Sequence, residues 1–155
     1  MSPDSEVRRA TPDDARDLAR LLHDFQEEFE EPSPGPEVLE RRYRELLTDG
    51  EMVVLLAGSG PDGFAQIRFR PWVYTDGACA YLEELYVAPR IRGRGLGRAL
   101  LDAAMVAARE EGAEHMELTT AETDAAARAL YESAGFTNRE GKPDGPVMLY
   151  YEREL

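Results

Sequence analysis

The sequence predicts a mixed α/β sandwich, with one sheet covered by helices on both faces. Three observations predict it. Two amphipathic helical stretches come first, and a period-two hydrophobic pattern takes over after Gly50. From Ala78 onward strand and helix patterns alternate. The whole fits in 155 residues, the size of a single domain spanning 1–155.

Each element has a local cause. Glu6 to Ala10 reads as a short first strand. Thr11-Pro12-Asp13-Asp14 starts a helix, with Thr11 as N-cap, proline in the first turn and acids at the positive end of the dipole. Leu18, Leu21, Leu22, Phe25 and Phe29 supply its buried face. The stretch from Glu30 to Pro36 holds three prolines and a glycine and breaks the helix. Val38, Leu39, Tyr43, Leu46 and Leu47 give a second amphipathic helix, closed by Asp49-Gly50. Met52–Ala57 and Phe64–Phe69 form a hairpin about Gly58–Gly63, and Ala78–Val87 is a further strand stopped by Pro89. Leu96, Leu100, Ala103, Ala104, Ala107 and Ala108 make a helix ending near Gly112, followed by a strand at Met116–Thr120. Asp124–Ala134 is the last helix, with Gly135 in the left-handed position beyond its end and Phe136 as its hydrophobic contact. Val147–Tyr151 is expected to close the chain as a strand.

Composition narrows the function. Hydrophobic residues at 43% and charged residues at 32% belong to a folded domain. The formal charge is −13, from 18 basic and 31 acidic side chains. Such a chain repels nucleic-acid backbones and attracts cationic partners. Cys79 is the single cysteine, so no internal disulfide or cysteine-rich metal site is possible. His23 and His115 follow no metal spacing, and no metal is expected. Apolar runs fall far below the roughly 20 residues that span a bilayer, and the first ten residues lack an apolar signal core. A cytoplasmic protein with neither membrane nor nucleic-acid partner is the expectation.

The informative segment is YLEELYVAPRIRGRGLGRALL, Tyr81 to Leu101. No acid occurs between Tyr86 and Leu101 in a chain of charge −13, yet Arg90, Arg92, Arg94 and Arg98 surround Gly93, Gly95 and Gly97. Glycines let backbone N–H groups approach a ligand, and a helix N-terminus offers unpaired donors and positive potential. Arginines suit a diphosphate. Arg98 stands where a GxGxxG motif needs glycine, and GxxxxGK[ST] is absent.

These residues resemble the GNAT N-acetyltransferase superfamily. Arg90-Ile91-Arg92-Gly93-Arg94-Gly95 matches its (Q/R)-x-x-G-x-(G/A) acyl-CoA loop, LYVAP its fourth strand, and DAAARALYESAGF its second signature. The resemblance implies a mostly antiparallel central sheet, splayed at strands 4 and 5, with helices on both faces. It implies acetyl-CoA as acyl donor, held by loop amides from Arg92 through Leu96 and Gly97 to Arg98, with Arg90 and Arg94 beside them. Leu85, Tyr86 and Val87 would bond the cofactor arm as an added strand. Asp124 occupies the place of an asparagine that touches the arm, and also reads as the N-cap of its helix. A homodimer is the oligomer the resemblance suggests.

Catalysis has two proton problems. An alkylamine of pKa near 10 costs roughly 4 kcal/mol to deprotonate at pH 7. YLEELYV looks like the YLED strand of the diamine acetyltransferase branch, which points to Glu83 as base with Glu84 in reserve. Strand alternation would turn these neighbours to opposite faces. The resemblance makes Tyr131 the acid for the departing thiolate, where full proton transfer is uphill by roughly 2 kcal/mol. Amides near Val87 would hold the oxyanion. The acceptor site implied by the resemblance draws on Phe29, Glu30, Glu31 and Tyr43, on Trp72, Tyr74 and Asp76, and on the loop from Asn138 to Gly145. Carboxylates among aromatics suit a small cationic amine. A peptide acceptor and a non-catalytic acyl-CoA-binding module are the alternatives.

Overall fold

A computed structural model describes residues 6–155, which fall into two compact units divided between Leu118 and Thr119. In the first unit the elements run β1 (Val7–Arg9), α1 (Ala15–Glu28), α2 (Pro36–Thr48), β2 (Val53–Ala57), β3 (Gly63–Pro71), β4 (Ala78–Val87), α3 (Leu96–Glu110) and β5 (Ala113–Leu118). The sheet order is β1-β2-β3-β4-β5. All neighbours are antiparallel except β4 and β5, which run parallel through the α3 crossover.

Alternation along the strands sorts the core. Val54, Leu56, Phe64 and Tyr86 pack with Ala15, Leu18, Leu21, Leu39 and Tyr43 of α1 and α2. Leu18, Leu21 and Leu100 are essentially unexposed, and burying each contributes roughly 1.5–3 kcal/mol. The other face carries α3, whose Leu96, Leu100, Leu101, Ala104, Ala107 and Ala108 are buried. Gly63 explains the closeness of that contact. A Cβ there would meet the Tyr86 carbonyl oxygen at 2.8 Å and Leu100 Cδ1 at 3.1 Å.

The predicted start of the first helix is refined. Pro12–Asp14 forms a 3-10 turn, and α1 begins at Ala15. Asp14 accepts from the Thr11 amide at 2.8 Å and from Arg8 at 2.8 and 2.9 Å. These bonds, Arg8 foremost, pull its carboxyl down to about 2.

In the second unit, α4 (Ala125–Ser133) begins on Asp124, whose Oδ1 accepts from the Ala127 amide at 3.0 Å. Its end has the predicted form. Gly135 is left-handed at φ 92°, and its amide donates to Glu132 O at 3.1 Å. The Phe136 amide donates to Tyr131 O at 3.0 Å, and the two rings meet at 6.1 Å. The expected strand over Val147–Tyr151 does not form. The bridge Arg139–Val147 and the Met148 amide to Asn138 O, at 2.8 Å, tie the start of that segment. Its residues are exposed, and an apolar, aromatic run becomes a strand only where a partner edge receives it. No helix among the described residues is long and apolar enough to cross a membrane.

Candidate active site

The site begins where the sheet opens. β5 pairs with β4 only over Ala78–Leu82, so beyond Leu82 the strand partner of β4 is β3 alone. The Ala88 amide donates to Asp62 O at 2.8 Å, which makes Gly63 and Val87 a non-hydrogen-bonded pair. Val87 and, two residues back, Leu85 therefore turn N–H and C=O toward the open edge. Tyr86 spends its main-chain groups on β3. Of the three strand residues expected to bond a cofactor arm, Tyr86 is thus corrected to a packing role, its ring buried against Phe25 at 5.0 Å and Phe64 at 6.3 Å.

The β3–β4 pairing shifts register between Gln66 and Ile67, since Gln66 faces Glu84 whereas Ile67 faces Leu82. Glu83 is the extra residue of a β-bulge. This overturns the expectation that Glu83 and Glu84 face opposite ways. Glu83 Oε1 lies 3.7 Å from Arg68 Nε, and Arg68 shares the β3 face of Gln66. Gln66 Oε1 accepts from the Tyr43 hydroxyl at 2.6 Å, so this face looks toward α2. Burial, with the charges of Glu31 and Glu83, pushes the Glu84 carboxyl up to about 7. Burial also raises the Tyr43 hydroxyl, reinforced by Glu84 and then Glu83. Glu83 Oε1 is buried without a hydrogen-bond partner among the described residues. Two carboxylates thus crowd one face, beside the open edge.

The turn after β4 passes through a 3-10 turn, Pro89–Ile91, into α3. Gly93 and Gly95 have φ of 78° and 82°, and a Cβ on either would meet nothing within 4 Å. The backbone conformation demands glycine there, while the space beside it stays open. The Ala99 amide donates to Gly95 O at 3.0 Å, closing the first turn, and the amides of a helix's first turn point out of its end. Leu96 is buried core and Gly97 half-buried.

The arginines are not four equivalent phosphate ligands. Arg90 is paired with the buried carboxylate of Asp62. Arg92 donates to Glu28 Oε1 at 2.8 Å, and Arg98 to Asp102 at 3.1 Å. Arg94 is exposed, and among the described residues no acid lies within ion-pair distance of it.

The other predicted residues are placed as follows. Phe29 is half-exposed and packs on Phe25 at 5.0 Å, and Glu30 adopts a left-handed φ of 54°. Trp72 lies at the hairpin turn between β3 and β4, the opposite end of that ladder from Glu84. It stacks there on His115 at 4.8 Å and meets Tyr74 at 5.6 Å. Asp124 caps α4 through its carboxylate. Tyr131 sits in the last turn of α4. Asp62, Gln66, Arg68 and Glu28 escaped the sequence reading because each matters through a partner on another element. Cys79, His115 and Glu117 also converge, their ligand atoms within 4.8 Å, although Arg70 already holds Glu117 at 2.7 Å.

Residues 18–136 match the family model described as "Acetyltransferase (GNAT) family". The chain is 32% identical over 141 residues to an aminoglycoside N(6')-acetyltransferase type 1 of Stenotrophomonas maltophilia, covering 86% of this chain and 87% of that one. A thialysine N-epsilon-acetyltransferase of Caenorhabditis elegans is 26% identical over 137 residues, 86% and 83% of the two chains. A crystal structure from Arthrobacter sp. FB24, assigned as an acetyltransferase, superposes with a TM-score of 0.89 at 47% identity, over 97% and 96% of the chains. The chain belongs to the GNAT family of acetyltransferases.

Proposed function

We propose that this enzyme moves the acetyl group of acetyl-CoA to a primary amine of a small cationic molecule, by direct attack of the amine. The observation that carries the reading is the bulged, open end of β4, where two carboxylates on one face adjoin an unpaired strand edge. Acetyl-CoA supplies a thioester whose C–S bond breaks as the new C–N bond forms. Leu85 holds its arm through its edge-facing main chain, and Arg94 with the amides from Gly93 to Gly97 receives the diphosphate. The Val87 N–H hydrogen-bonds the carbonyl oxygen as it gains charge.

Glu84 takes the proton from the ammonium, directly or through water. Its carboxyl, held near 7, is ionised in a useful fraction at neutral pH and is still basic enough to accept a proton. Glu83, whose Oε1 lies 3.7 Å from Arg68 Nε, supplies counter-charge to the acceptor, joined by Glu31. Tyr131, assigned by the motif, hydrogen-bonds the departing sulfur and shares or gives up its proton. Relatives named for aminoglycosides and thialysine favour a small cationic acceptor, as do the acids at Glu31, Glu83 and Glu84.

The test is thiol release from acetyl-CoA with spermidine, lysine, an aminoglycoside and a basic peptide in parallel. Release with the small amines, reduced in Glu84→Gln and Tyr131→Phe, is expected. Release with the peptide alone selects a peptide acceptor. Coenzyme A binding without release across the panel makes the protein a binding module. Full turnover in Tyr131→Phe removes that residue from the chemistry.

A further inference from the structure

The acetyl-CoA turn is braced from outside itself. Glu28, the last residue of α1, places Oε1 2.8 Å from Arg92 Nη2 and 3.2 Å from the Tyr86 hydroxyl. The same guanidinium donates through Nε to the Val87 carbonyl at 2.9 Å, and its carbon lies 5.6 Å from the centre of the Tyr86 ring. Arg92 is therefore held at both ends of its planar fork and against an aromatic face.

We propose that Glu28 is a positioning residue for acetyl-CoA binding: by holding Arg92 across the end of β4, it fixes the Val87 peptide and the entry to the glycine–arginine turn. This rests on the acetyl-CoA reading above. Val87 C=O is one of the groups β4 turns to its open edge, and Arg92 caps it. The amide of an incoming arm is thereby directed away from that carbonyl, while the Val87 N–H stays available. Beyond Arg92 the chain enters Gly93 and Gly95, whose wide conformational range must be narrowed before their amides can converge on an anion. A fixed Arg92 narrows it in advance, and preordering of this kind raises affinity by lowering the entropy lost on binding. The lowered carboxyl of Glu28, caused first by its bond to Arg92, agrees with a permanently charged brace.

The opposite arrangement is physically distinct. If the diphosphate drew Arg92 off Glu28, the carboxylate would compete with the ligand, and its neutralisation would tighten binding.

Calorimetry with coenzyme A separates the two. Glu28→Gln is expected to weaken binding about tenfold, the size of one charge-assisted hydrogen bond, at a temperature well below the melting midpoint. Arg92→Lys, which keeps the charge but loses the fork, is expected to weaken it similarly. The double variant should bind no worse than Arg92→Lys alone, as it must if the two residues act as a unit. In turnover, KM for acetyl-CoA rises more than kcat falls, a split that a general loss of stability does not produce. Unchanged or tightened affinity in Glu28→Gln, against a normal wild-type value, overturns the brace. Wild-type protein that ignores coenzyme A overturns the acetyl-CoA reading as well.

Discussion

Among single residues, Glu84 is the one whose surroundings most change its chemistry. Burial first, and then Glu31 and Glu83, hold its carboxyl near 7 rather than in the usual carboxylate range. As a base it must be ionised, so kcat/KM is expected to rise as pH increases through about 7. Glu84→Gln should remove that limb and lower kcat about 10²–10⁴-fold, as pH–rate profiles would show. The same shift has a cost in stability. The folded state binds the Glu84 proton more tightly than the unfolded chain, so the contribution of this group to stability is greatest at low pH and falls as pH rises from about 4.5 to about 7. Glu84→Gln should therefore melt above the wild type at pH 8, with the gap closing toward pH 4. Both glutamates were visible in the sequence as candidates. Their common face was not, because a bulge depends on how β3 and β4 register, and alternation alone predicts the reverse.

Among elements, the β4–turn–α3 unit separates positions needed for shape from positions needed for a ligand. A Cβ on Gly63 would lie 2.8 Å from the Tyr86 carbonyl oxygen, a backbone atom that cannot swing aside. Gly63→Ala is expected to lower stability by about 1–3 kcal/mol, the usual cost of overpacking, and thermal melting would reveal it. Gly95, at φ 82° with open space around its Cα, differs. Gly95→Ala should cost only about 1–2 kcal/mol from left-handed strain, yet weaken coenzyme A binding by more than its effect on folding, because the new methyl enters the space left for the ligand. The turn, the helix after it and the Gly135 cap of α4 were all legible locally, since φ preferences and helix ends are set within a few residues. The final strand was misread for the complementary reason: Val147–Tyr151 has strand composition, but its hydrogen bonds must come from elsewhere.

For the molecule as a whole, the formal charge of −13 favours encounter with cations over distances that salt shortens. KM for a polyamine is expected to rise several-fold between low and 0.3 M salt, with KM for a neutral amine nearly constant, as steady-state kinetics at two ionic strengths would show. The element order from β1 to α4, the Gly135 end of α4 and the glycine–arginine turn were determined by the sequence alone, because each follows from side-chain period, capping chemistry or φ preference over a short stretch. Tertiary structure alone decided that Glu83 and Glu84 share a face, that Arg90 and Arg92 are held by Asp62 and Glu28, and that Leu85 and Val87, rather than Tyr86, present their peptides to the open edge. Strand register and ion pairing join residues tens of positions apart, and no local preference encodes which partner a charged side chain or a strand edge will meet.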